Sequence, residues 1–90
     1  MLFSLGQIVM TRGIANLVAH GEIDVLPLLS RHATGDWGDL DAQDCRKNNE
    51  ALESRGRILS SYRLSGEISS VWIITEWDRS YTTVLLPHEY

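Results

Sequence analysis

The chain has 90 residues, 43% of them hydrophobic and 22% charged, with a formal net charge of −4. That composition excludes a disordered chain, and the length fits a single domain that buries only roughly 60–65% of its unfolded surface. The acidic balance lacks the electrostatic footprint of a duplex nucleic-acid binder, so direct duplex DNA binding is not expected.

One cysteine allows no intrachain disulfide, which fits a reducing cytoplasm, and Cys45 reads as a small packed residue rather than a nucleophile. The opening MLFSLGQIVM has no basic leader, carries Gly and Gln at its centre and is too short to span a bilayer, so it is read as part of the fold, with no membrane association. Leu5–Met10 is a candidate short strand, Ile8 and Met10 pointing one way and Val9 the other.

Thr11 is placed to cap a short helix in which Ile14, Leu17 and Val18 share a face, and Gly21 offers a left-handed stop. His20 falls in its last turn, where a helix-terminal role outweighs a catalytic one. Asp24 caps a second helix that tolerates Pro27 in its first turn and ends at Gly35. Val25, Leu28, Leu29 and His32 share a face there. His32 has no second ligand at metal spacing on that helix, so neither a metal nor a cofactor is expected.

Trp37 then stands between Gly35-Asp36 and Gly38-Asp39, with two readings: an anchor folded back onto the sheet, or an exposed recognition residue. Asp41 opens a third helix through a capping-box variant with Asp44, and Leu40 and Cys45 are spaced as a hydrophobic staple. Its apolar stripe, Cys45, Asn48 or Asn49, and Leu52, is thin, and Gly56 is the expected stop.

From Arg57 onward the pattern changes to period 2. Ile58, Tyr62 and Leu64 alternate with Leu59, Ser61 and Arg63, the signature of a strand with one buried face. Leu64-Ser65-Gly66-Glu67 supplies a reversal. Ser70–Glu76, apolar on both faces, suits a central strand, Trp77-Asp78-Arg79-Ser80 suits a type I turn, and Tyr81–Leu86 returns until Pro87 ends it. The expected fold is α+β: two or three short helices on one face of an antiparallel meander of at least three strands. Ile58, Leu64, Val71, Ile73, Val84 and Leu86, with Leu17, Val18, Leu28 and Leu29, are the expected core.

No phosphate-binding loop, nucleophile elbow or paired-Cys metal site is present. Two surfaces carry candidate function. The first is the acidic segment 36–53, with Asp36, Trp37, Asp39, Asp41, Asp44, Glu50 and Glu53 as candidate partner-binding residues. Its charge suits a host protein with a basic nucleic-acid-binding surface. The second is the set Arg57, Glu76 and Arg79, in which a guanidinium stabilises phosphodiester charge and a carboxylate takes a proton. The same residues also suit an ordinary cross-strand salt bridge. A short chain also leaves apolar sheet surface or edge free for a homodimer.

The segments RHATGDWGDL, ALESRGRILSSY and WIITEWDRSYTTVLLPHEY together resemble a family of small uncharacterised proteins of plasmids, phages and integrative elements, often labelled "plasmid-related protein". The resemblance covers most of the chain from His32 onward and implies a mobile-element accessory protein. For an acidic product of this size it implies interference with a host defence system, in the manner of anti-CRISPR or anti-restriction proteins. GRILSSY followed by VWIITEWDRSYTTVLL is also similar to the last strands of barnase-type ribonucleases. That likeness implies a phosphate-contacting role for Arg57. Asp78-Arg79 stands where those enzymes have a His, so no general acid carries over.

Overall fold

A computed structural model of the chain describes residues 1–64, 66 and 70–90. Its elements are β1 (Gln7–Met10), α1 (Arg12–Ala19), α2 (Val25–Ala33), α3 (Ala42–Ser54), β2 (Ile58–Arg63), β3 (Ser70–Thr75), β4 (Tyr81–Leu85) and a 3-10 turn at Pro87–Glu89. The α+β class is as expected. The strand order is β1-β4-β3-β2. Strands β2, β3 and β4 form the antiparallel meander, and β1 joins β4 in parallel, which makes the sheet mixed. The reversal expected at Leu64-Ser65-Gly66-Glu67 lies outside the described residues, apart from Leu64 and Gly66.

Alternation decides the two faces of the sheet. Ile58, Ser60 and Tyr62 of β2, Val71, Ile73 and Thr75 of β3, and Thr82 and Val84 of β4 are all buried on the helix side. Ile14 from α1 and Leu28 and Leu29 from α2 close over Tyr62, Val71, Ile73 and Val84. A second cluster, Trp37, Ala51 and Ile58, gathers Phe3, Leu40, Cys45 and Leu52 around it. Of the expected core, Leu17, Val18, Leu64 and Leu86 are only partly buried. Ile14 and Tyr62 take central places instead. Burial pushes the Tyr62 hydroxyl up to about 12, and the hydroxyl donates to the Asp36 carbonyl.

The caps match the sequence at two helices and depart from it at a third. Asp24 accepts from the Leu26 amide and Asp41 from the Asp44 amide, as the N-cap preference predicts. Thr11, however, gives no side-chain cap to α1; its hydroxyl donates to Glu89, whose other oxygen accepts the Gly13 amide. The capping carboxylate for α1 therefore arrives from the last turn of the chain. That hydrogen bond from Thr11 holds the Glu89 carboxyl below its ordinary range. At the end of α3 the left-handed residue is Arg55, φ 62°, rather than Gly56.

The free edge of β2 is closed by the chain itself. Ser61 donates to the Trp37 carbonyl and accepts from the Asp39 amide, so the loop at 37–39 runs alongside the strand. Gly38 is required there: its φ is 76°, and a Cβ would sit 2.0 Å from the Ser61 carbonyl oxygen. The Asn48 side chain continues the seal by pairing with both the N–H and C=O of Leu59.

Candidate functional site

Strand register brings the first cluster together. Ile58 pairs with Thr75, so Arg57 and Glu76 stand opposite each other at the next position, on the face away from the helices. Arg57 Nε lies 3.5 Å from Glu76 Oε2, and its Nη1 donates to the Tyr90 hydroxyl at 3.0 Å. The guanidinium also lies over the Tyr90 ring, 5.6 Å from its centroid, and Tyr90 meets Trp72 edge-on at 5.8 Å. The Tyr90 hydrogen bond, helped by Glu76, raises the Arg57 pKa. Arg57, Trp72 and Tyr90, with Leu59 and Ile74 as floor, line a groove of about 360 Å³. A second depression of about 230 Å³ extends from Arg57 towards Tyr81 and Thr83.

Arg79 does not join this cluster. Its guanidinium donates to the carbonyls of Ala51, Gly56 and Glu76 and lies over the Phe3 ring. It therefore closes the C-terminal end of α3, satisfying carbonyls that a helix end leaves open. The cause is backbone geometry: Arg79 has φ 60°, and the Asp78 carboxylate, bonded to the Ser80 amide and hydroxyl, fixes that turn. Of the proposed trio, Arg57 and Glu76 converge and Arg79 faces elsewhere.

The acidic segment is also different from its expectation as a recognition surface. Trp37 is buried at 5% exposure; it stacks on Phe3, meets His32 edge-on, and its indole N–H donates to Asn49. It is an anchor and is withdrawn as a docking residue. Asp36 is held by Arg31, which keeps its carboxyl below the usual range, and it also accepts the Gly38 amide. Asp39 accepts the Arg63 amide and Asp41 caps α3. Asp44, Glu50 and Glu53 have no ion-pair partner among the described residues. Three of the six carboxylates are thus committed to local structure.

A buried polar chain was not legible as such in the sequence. His32 is fully buried, with Nδ1 2.5 Å from Ser60 Oγ and Nε2 2.8 Å from Thr75 Oγ1. Thr75 meets Thr82, and Thr82 donates to the Leu5 carbonyl. Each hydroxyl has one proton to give, so Thr82 accepts from Thr75 and Thr75 from His32 Nε2–H. In the neutral imidazole Nδ1 then accepts from Ser60. Burial, then the positive charge of Arg79, lowers the His32 pKa to about 4. Among the described residues no group of three His, Cys, Asp or Glu side chains is placed to hold a metal.

Fold and site together define an α+β protein with one face of its sheet covered by helices, the other carrying Trp72, Tyr90 and the Arg57–Glu76 ion pair. The chain is 33% identical over 85 residues to the DNA repair protein RecN of Deinococcus radiodurans. The match covers 94% of this chain but 14% of that protein. No protein-family model and no solved structure matches the chain. Among the described residues, no helix is long and apolar enough to cross a membrane.

Proposed function

We propose that the chain is a non-enzymatic binding protein that docks a partner on the open face of its sheet. The observation that carries this is the presence of Arg57, Trp72 and Tyr90 around one groove on that face. Trp, Tyr and Arg are the residues that dominate binding energy at interfaces, and here Trp72 lies on β3 with Arg57 just before β2 and Tyr90 just after the final 3-10 turn. The mobile-element resemblance supplies the partner class: a host defence protein with a basic nucleic-acid-binding surface, inhibited as anti-CRISPR or anti-restriction proteins inhibit theirs. In this arrangement the net charge of −4 and the uncommitted Asp44, Glu50 and Glu53 steer the encounter, while the sheet face supplies the contacts. Affinity capture from lysate of a host carrying its defence systems tests it. The double variant Arg57→Ala, Trp72→Ala loses the partner, whereas Glu50→Lys, Glu53→Lys only slows its binding; capture by the first variant at the wild-type level would reject the proposal.

The convergence of Arg57 and Glu76 favours a second reading, a small barnase-like ribonuclease or other phosphodiester enzyme. In that chemistry the guanidinium stabilises phosphate charge, the carboxylate takes the proton of the attacking 2′-hydroxyl, and solvent protonates the leaving 5′-oxygen. Single-stranded RNA cleavage lost in both Arg57→Ala and Glu76→Gln is its expected signature. Absence of cleavage by the wild-type chain rejects it.

A further inference from the structure

The two edges of the sheet are finished differently. Edge β2 is sealed by the loop at 37–39 and by Asn48. Edge β1 is not. Its Gln7 N–H donates to the Ser80 carbonyl and the following Thr11 N–H to the Val84 carbonyl, so the alternation of a parallel ladder sends the N–H and C=O groups of Ile8 and Met10 away from β4. Among the described residues no hydrogen bond engages those groups. Ile8, Val9 and Met10 are each about 40% exposed, on both faces of the strand. Proteins that stay monomeric blunt such edges by keeping them very short or with charge, proline or a bulge, and of these devices β1 has only its four-residue length. Here no ionisable side chain and no proline occurs between Met1 and Thr11.

We infer that β1 pairs antiparallel with β1 of a second copy of this chain, about a two-fold axis at Val9. The outward-facing positions, Ile8 and Met10, are spaced symmetrically about Val9, so Ile8 of one copy falls opposite Met10 of the other and every outward N–H meets a C=O. On the helix side Ile8 packs against Met10, and on the open side the two Val9 side chains meet at the axis. The segment is its own complement, which favours a second copy over a foreign strand. Its lack of charge fits the same occupant, because two chains of net charge −4 can approach here without carboxylates opposing each other. The axis stands perpendicular to the sheet. Both open faces therefore fall on the same side of one continuous sheet, and the two Arg57 grooves face the same direction.

Light scattering across a concentration series tests the pairing. The wild-type chain is expected to reach twice 10.2 kDa, while Val9→Lys and Val9→Glu each remain at 10.2 kDa with an unchanged circular dichroism spectrum. An equimolar mixture of the two variants is expected to recover the dimer, since Lys and Glu then oppose each other at the axis. Ile8→Pro removes an outward N–H without touching the β4 ladder and is expected to be monomeric as well. A wild-type chain that stays monomeric throughout overturns the inference. Dimers that survive the Val9 substitutions overturn the edge, and a mixture that fails to reassociate overturns the register.

Discussion

Arg57 and Glu76 face each other one position beyond the last paired residues of β2 and β3, with Nε 3.5 Å from Oε2. Half-exposed ion pairs of this kind contribute little to stability, about 0–1 kcal/mol. The pair is therefore free to exchange its internal partner for an external one. Arg57→Ala is expected to lower the unfolding free energy measured by urea titration by no more than that amount while abolishing partner capture. A large loss of stability would instead make Arg57 structural.

Trp37 and Trp77 are expected to respond in opposite ways. Trp37 is buried against Phe3 and His32, so Trp37→Ala should cost about 3–5 kcal/mol, a large share of a small protein's stability. Trp77 is 64% exposed, and Trp77→Ala should stay within about 0.5 kcal/mol. Thermal melts of the two variants measure the difference directly.

His32 makes stability depend on pH with a defined sign. Its folded pKa, about 4, lies below the ordinary 6.5, so the unfolded chain binds more protons between those values. Stability is complete above the unfolded pKa and falls as pH drops from about 6.5 to 4, by about 3 kcal/mol in all. Urea titrations at successive pH values should show this slope. In His32→Gln, which has no imidazole to protonate, stability should be lower at neutral pH and the slope over that window should flatten.

Arg79→Ala is expected to destabilise the fold by about 2 kcal/mol, since charged donors to carbonyls contribute about 1.5–3 kcal/mol and this one is partly exposed. Arg79→Lys should recover only part of the loss, because a single ammonium cannot reproduce the planar fork that reaches both Ala51 and Gly56. Neither substitution should alter the groove around Arg57.

The sheet was legible where the information was local. Period-2 alternation identified β2, the doubly apolar run identified β3 as central, and the register of that hairpin brought Arg57 opposite Glu76. The parallel partnership of β1 with β4 was not legible, because Gln7 and Tyr81 are joined by no turn whose chemistry could announce it. Arg79 was misplaced for a similar reason: its side chain follows a left-handed backbone in a turn without glycine. The chain from Ser60 through His32 to Thr75 and Thr82 joins α2 to three strands and exists only after packing. Trp37 was ambiguous in principle, since a glycine-flanked acidic loop can turn its tryptophan inward or outward; the pairing of Ser61 with the loop backbone decides it.

The most direct test of the sheet face as docking surface is a chemical-shift map of the 15N-labelled chain on adding its captured partner. The Trp72 indole and the amides of Arg57, Leu59, Ile74 and Tyr90 should move, while the Trp37 indole, bonded to Asn49, stays in place. Shifts confined to Asp44, Glu50 and Glu53, with Trp72 unmoved, would contradict that placement and return the interface to α3.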